Sequence, residues 1–310
     1  MKTAIWTFDD LLRRAAKLPA KRILVVNPAN AETFQAVADA QKKLPTSFLL
    51  VGSRQGIERG LAAEGGEASK AVIITAETVG DAVTASIDLA REKKADVLMK
   101  GSVDTATLMR AVLQESSGLR TGRLLSDVFI FEFPKRTHNK LIMITDGGMN
   151  LSLDLKGKAD LINNAVRVAH AFGNAEPRVA VLSATEFVLP NLQSTVDAAA
   201  LTKMNEAGEI KGCVVHGPLA LDNAVSPEAA EEKGIRSKVA GKADILLAPS
   251  IEAANLLAKS TTYFAGLRLA HVIEGSRIPI LIPSRADKSD AKLLSIAAGM
   301  LMSEQPPVEA

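Results

Sequence analysis

Ile278-Pro279-Ile280-Leu281-Ile282-Pro283-Ser284-Arg285-Ala286-Asp287-Lys288-Ser289-Asp290 runs from a buried-looking strand into a serine and an arginine and then opens the last helix. In an open α/β sheet, ligands bind outside the carboxyl ends of the strands. A helix N-terminus at that point offers free N–H groups and the positive end of a dipole, both suited to an anion. Arg285 adds a planar fork of donors that matches phosphate. The same residues also read as a solvent-exposed turn, with Asp287 as N-cap and Asp290 at N3 in a variant of the capping box.

Working outward, short apolar runs alternate with helical patterns along the chain. Strands are expected over 22–26, 47–51, 71–74 and 96–99, and helices over 31–43, 78–94 and 105–114. In the helix over 78–94, Val79, Ala82, Val83, Ile87 and Ala90 share one face. This rhythm argues for a parallel sheet with right-handed crossovers. The middle changes character. Strands over 125–133 and 140–144 flank a polar turn with Pro134, Arg136, His138 and Asn139, which reads as an antiparallel hairpin. Alternation then resumes, with helices over 158–172, 195–206, 252–264 and 288–302 and strands over 178–182, 213–215 and 245–248. No linker, low-complexity stretch or internal repeat interrupts it.

The 310 residues are too many for one small core, so one large or two medium α/β domains are expected. Hydrophobic residues make up 47% and aromatics only 4%, so the core is built from Ala, Val, Leu and Ile. That favours helices packed closely on buried parallel strands. A net charge of +2, with no basic block, argues against a nucleic-acid partner. The single cysteine, Cys213, excludes an intrachain disulfide and a multi-cysteine metal site, and reads as a buried thiol rather than a nucleophile. The four histidines have no metal-ligand spacing, so no metal is expected. The N-terminus does not read as a signal peptide, and no run approaches the ~20 apolar residues of a membrane span. A cytoplasmic protein with no membrane partner is the expectation.

Further strand ends carry polar residues. Met99-Lys100-Gly101-Ser102-Val103-Asp104-Thr105 leads into a helix bearing Arg110. Its functional reading gathers N–H groups, hydroxyls and Arg110 around an anion. Its plain reading makes Asp104 or Thr105 an N-cap and Arg110 a solvated charge. Ile144-Thr145-Asp146-Gly147-Gly148-Met149-Asn150 pairs an aspartate with two glycines that permit close backbone approach. Asp222, in Gly217-Pro218-Leu219-Ala220-Leu221-Asp222-Asn223-Ala224, is a turn residue or a site residue, and Pro249-Ser250 reads as a helix cap. Arg, Lys, Ser and Asp at strand ends favour a phosphate-bearing small molecule. No P-loop, G-x-G-x-x-G or G-x-S-x-G pattern is present.

Taken together, seven segments resemble one family. They are Lys100-Gly101 with Thr107-Leu108-Met109-Arg110-Ala111-Val112-Leu113, Gly118-Leu119-Arg120-Thr121-Gly122, Thr145 to Asn150, Asp197-Ala198-Ala199-Ala200-Leu201-Thr202-Lys203-Met204, Gly217 to Ala224, Val239-Ala240-Gly241-Lys242-Ala243-Asp244-Ile245, and Ser284-Arg285-Ala286-Asp287. In order, from about residue 20 to the final helix, these resemble the phosphate acetyl/butyryltransferases. The second and fifth segments are more similar to the butyryltransferase branch.

The resemblance implies a reversible reaction in which acyl-CoA and inorganic phosphate give acyl phosphate and CoA. CoA is then a substrate or product, and no cofactor is held permanently. It also implies two α/β domains with a cleft between them, like the isocitrate and isopropylmalate dehydrogenases, and a homodimer. The domains would be 1–121 plus 272–310, and 122–271. Ser284, Arg285, Arg110, Asp287 and Asp290 become the expected catalytic residues. Lys100, Gly101, Thr105, Asp146, Gly147, Asp222 and Asn255 are the expected substrate-binding residues. In the acetyltransferase branch an aspartate after the Ser-Arg pair deprotonates CoA. The register here puts Ala291 at that position, beside Asp290, and leaves Asp287 and Asp290 as the nearby carboxylates. The family's acidic motif after the first strand is altered, to Asn27-Pro28-Ala29-Asn30-Ala31-Glu32. Two other readings stand beside this one: an NAD(P)-dependent dehydrogenase of the same architecture, and a non-catalytic protein that binds CoA or an acyl phosphate.

Overall fold

A computed structural model describes residues 4–133, 140–284 and 286–306. Arg285 and the turn with Pro134, Arg136, His138 and Asn139 lie outside the described residues. The chain opens with α1 (Phe8–Ala15) and then alternates through β1 (Lys21–Val26), α2 (Ala31–Lys43), β2 (Thr46–Gly52), α3 (Arg54–Ala63), β3 (Ala71–Thr75), α4 (Val79–Arg91), β4 (Val97–Lys100) and α5 (Thr105–Leu113). Next come β5 (Ser126–Glu132), β6 (Leu141–Thr145), α6 (Leu155–Ala171), β7 (Arg178–Leu182), α7 (Gln193–Glu206), β8 (Val214–Leu219), α8 (Leu221–Val225), α9 (Pro227–Glu232), β9 (Ile245–Leu247) and α10 (Ile251–Tyr263). The chain ends on β10 (Leu269–Glu274), β11 (Ile280–Leu281) and α11 (Ser289–Met302).

The chain divides into two compact units, Met1–Thr7 with Leu124–Leu269 and Phe8–Arg123 with Ala270–Ala310. We call them the central and the terminal unit, by their place in the sequence. Residues 4–7 thus group with the central segment, whereas the sequence reading placed 1–121 with 272–310. A hydrogen bond accounts for this: the Ile5 N–H donates to the carbonyl of Phe172, at the end of α6, at 2.8 Å.

In the terminal unit the strand order is β3-β2-β1-β4-β11-β10. The neighbours are parallel except β10 and β11, which pair antiparallel at Ile273 and Ile280. All four residues of β4 are buried, as befits a strand covered on both faces. The helices start where the sequence supplies caps. Asn30 accepts from the Thr33 N–H, and Thr78 and Asp81 form a capping box. On α11 every residue from Lys292 to Met302 is buried, the behaviour of a helix that is apolar all round.

In the central unit the order is β5-β6-β9-β7-β8. The expected hairpin is present: β5 and β6 run antiparallel, with Phe129 opposite Ile144. The remaining neighbours are parallel. Phe129, Phe131, Ile142, Ile144, Leu182 and Leu246 are among the residues of its core.

The sequence reading lacks α1, α3, α8, α9 and β10. In β10 the polar His271 and Glu274 break the apolar run, yet both are buried. Gly56 and Gly60 inside α3 mask its helical period. Among the described residues no helix is long and apolar enough to cross a membrane.

Candidate active site

In the terminal unit β4 and β11 lie side by side and parallel, with Leu281 opposite Met99. Their carboxyl ends are about 4.8 Å apart, the spacing of adjacent strands. Each leads to a helix N-terminus, α5 after β4 and α11 after β11. Lys100, Gly101 and Ser284 are therefore brought to one edge of the sheet.

The β4 end is locked by backbone. The Gly101 N–H donates to Val26 O at 2.9 Å and the Ser102 N–H to Asn27 O at 2.7 Å. Asn27 Nδ2 returns a bond to Ser102 O at 3.0 Å. A Cβ on residue 101 would stand 2.4 Å from Val26 O, so only glycine fits. Lys100 is buried, and its Nζ donates to Val103 O at 3.2 Å. Asp104 is the N-cap of α5, accepting from the Thr107 N–H at 2.8 Å, which places Thr105 at N1 rather than at the cap. Arg110 is exposed in the last turn of α5, about 9 Å along the axis from Asp104. Its charge is one of the influences that hold Asp104 below the usual carboxylate range. The hydrogen bond at Thr107 is the largest of them.

The β11 end is a reciprocal turn. The Ser284 N–H donates to Asp287 Oδ2 at 2.7 Å, and the Asp287 N–H donates to Ser284 O at 3.1 Å. The Ala286 N–H reaches Ser284 Oγ at 3.4 Å. This corrects the expected cap. The N-cap of α11 is Lys288, with no side-chain cap bond, because the Asp287 carboxylate has turned back onto Ser284. Asp290 accordingly sits at N2, not N3. His271 Nε2 lies 3.7 Å from the same carboxylate oxygen.

Beneath this turn is a residue that the sequence reading missed. Lys292 Nζ donates to Ser284 O at 3.3 Å and also to Asp287 O. Burial pushes its ammonium below the ordinary lysine range, against the pull of the Asp287 and Glu32 charges. A signal was present: Lys292 is the one basic residue of α11 and borders its long apolar run.

In the central unit, Asp146, Gly147 and Asn255 come together. Asn255 Nδ2, from α10, donates to Gly147 O at 2.8 Å. A Cβ at Gly147 would meet Phe129 at 2.9 Å and the Asn255 backbone N at 3.2 Å, so the glycine is there for close approach. Asp146 accepts from the Asp127 N–H at 2.9 Å and the Gly148 N–H at 3.3 Å through Oδ1. Through Oδ2 it accepts from the Asn150 N–H at 2.8 Å and Asn150 Nδ2 at 2.6 Å. These bonds match the four lone-pair sites of a carboxylate, so Asp146 shapes its own loop. Burial, reinforced by the Asp127 charge, pushes its carboxyl up from the ordinary value. Asp146→Asn would turn an NH2 group toward two N–H donors. It is expected to lose about 1–3 kcal/mol of stability in urea unfolding. An unchanged midpoint would show that the loop does not depend on these bonds.

A cavity of about 150 Å³ opens beside this loop, lined by Asp146, Asn150, Lys158 and Ser250 among others. Ser250 is the cap of α10, as the sequence indicated. Asp222 is not part of this cluster. It lies past β8, and β9 and β7 separate β8 from β6, which puts it about 14 Å across the sheet. It is exposed there, 3.5 Å from Lys233 Nζ. Burial and the Glu176 charge push the Cys213 thiol up to about 11, so it is no thiolate at neutral pH. Among the described residues no three His, Cys, Asp or Glu side chains converge as a metal would require.

Comparison with known proteins adds to this geometry. A family model described as Phosphate acetyl/butaryl transferase matches residues 64–299. A phosphate butyryltransferase of Clostridium beijerinckii is 42% identical over 296 residues, covering 96% of this chain and 97% of that protein. A phosphate acetyltransferase of Thermotoga maritima is 39% identical over 290 residues, covering 94% and 98%. Among solved structures, a branched-chain phosphotransacylase from Enterococcus faecalis matches with a TM-score of 0.82 at 26% identity, covering 92% of this chain and 100% of that one. A putative 4-hydroxythreonine-4-phosphate dehydrogenase from Salmonella typhimurium matches with a TM-score of 0.58 at 14% identity, over 92% and 100%, a likeness of fold alone.

Proposed function

The chain belongs to the phosphate acetyl/butyryltransferase family and is a phosphate acyltransferase; we propose that it moves a short acyl chain, butyryl or acetyl, between CoA and inorganic phosphate by direct attack. A phosphate oxygen attacks the thioester carbonyl, the carbonyl oxygen takes up negative charge, and the C–S bond then breaks to release CoA. Arg110 and Arg285 bind the phosphate, and Ser284 Oγ donates to the charge that develops on oxygen or sulfur. Aligning the two substrates supplies much of the acceleration, so no acyl-enzyme is needed. The high pKa of Cys213 agrees with that. We assign exchange of the CoA thiol proton to the carboxylates that follow the Ser-Arg pair, Asp287 in the turn and Asp290 in the first turn of α11. Activity as a cytoplasmic homodimer is part of the same proposal.

The adjacency of the β4 and β11 carboxyl ends supports the part of this assignment that falls on Ser284 and Lys100-Gly101, while Arg110 and Arg285 are assigned by the family resemblance. That adjacency brings Lys100-Gly101, Ser284 and the starts of α5 and α11 to one edge of the sheet, which supports a phosphate subsite there. The dehydrogenase and non-catalytic readings give way to the acyltransferase, because the near-full-length relatives are acyltransferases by name.

Hydroxylamine trapping tests the chemistry. Acyl hydroxamate should form from acyl-CoA only when phosphate is present. Initial rates against both substrates should give intersecting lines, whereas parallel lines would demand a covalent acyl-enzyme. Arg110→Ala should raise KM for phosphate roughly 10–100-fold, the equivalent of about 1.5–3 kcal/mol for a charge-assisted hydrogen bond. An unchanged KM for phosphate would remove Arg110 from the site.

A further inference from the structure

Lys292 is 1% exposed, and it is the only charged residue among the buried positions Lys292–Met302 of α11. Burying an ammonium is costly unless its protons are bonded. The acceptors it has found are the main-chain carbonyls of Ser284 and Asp287, the first and last residues of one turn. That turn is closed on itself by the Ser284 and Asp287 N–H bonds. The charged groups that face Lys292 are the Asp287 carboxylate from the turn and Glu32 from α2. An apolar residue would fill the same volume, so the ammonium is explained by what it grips.

Resting on the reading that Ser284 acts at the reacting carbonyl, we propose that Lys292 is a positioning residue. From within α11 its ammonium clamps both ends of the Ser284–Asp287 turn and so fixes where Ser284 Oγ points. It touches no substrate and acts only through the turn. A displacement of about 1 Å at a reacting group can cost on the order of 100-fold in rate. The loss from removing Lys292 is then bounded by the loss from removing the Ser284 hydroxyl itself.

The test is Lys292→Met, which keeps the length and removes the ammonium. It is assayed as phosphate-dependent CoA release alongside the wild type, Ser284→Ala and the double variant. The expected kcat falls at least about tenfold, with KM for acyl-CoA changed less than about threefold. In the Ser284→Ala background the same substitution should cost less than about threefold, because both act through one group. Hydrogen exchange over residues 284–292 should accelerate in Lys292→Met while the rest of the chain is unchanged. Wild-type kcat in Lys292→Met, a loss that adds fully to that of Ser284→Ala, or unchanged exchange would each overturn the proposal. If Lys292→Met fails to fold, Lys292→Gln is read by the same criteria. A wild type without phosphate-dependent release would refute the underlying acyltransferase reading, and the exchange measurement would still decide whether Lys292 holds the turn.

Discussion

Replacing Ser284 with alanine is expected to lower kcat by about 100- to 1,000-fold while changing KM for acyl-CoA little. That range is typical for deletion of one preorganised donor to a developing oxyanion. Three features of the structure support the role proposed for Ser284. It stands three residues past β11, at the carboxyl edge where the sheet places ligands. Its backbone is held from both sides, by Asp287 through its N–H and by Lys292 through its carbonyl. Its residue is only half-buried, so the hydroxyl can meet a substrate. Steady-state kinetics on the purified variant give the result directly. A kcat within about threefold of wild type would mean that the hydroxyl plays no part in the transition state.

Gly101→Ala is expected to be the most damaging change to the fold around the site, at about 3 kcal/mol. The added methyl would stand 2.4 Å from Val26 O and 2.7 Å from Asn27 O. Both obstacles are main chain, so no side chain can swing aside. The two loops are also tied across this contact by the Gly101 and Ser102 N–H bonds, and relieving the clash would break them. Lys100, whose partner in the β1–β4 register is Val26, would move with its loop. Urea unfolding should therefore show a lower midpoint, and activity should fall even in the folded fraction. Wild-type stability in Gly101→Ala would contradict the close approach of these loops.

Much of the architecture was legible because buried parallel strands leave continuous runs of Val, Ile and Leu. The helix over 31–43 and the strand over 178–182 are found where the sequence placed them. What stayed hidden has physical causes. β10 buries His271 and Glu274, so its polar letters look like a loop. The site was legible as a set of strand ends, not as contacts. An aspartate three residues after a serine fits a helix cap and fits a carboxylate folded back on the serine's N–H. Only the path of the chain selects the second. Asp146 likewise looks available for a ligand in sequence, yet its oxygens are engaged by its own loop and by Asp127. Asp222 and Asp146 sit in equally suggestive motifs but follow strands, β8 and β6, that the sheet order keeps apart.

The measurement that bears most directly on the central claim is CoA release from butyryl-CoA, followed with a chromogenic thiol reagent, with and without inorganic phosphate. The account predicts release that rises with phosphate, saturates, and is near zero without it. Release at the same rate in the absence of phosphate would make the protein a thioesterase. No release from acetyl-, propionyl-, butyryl- or isobutyryl-CoA at any phosphate concentration would contradict the acyltransferase account outright.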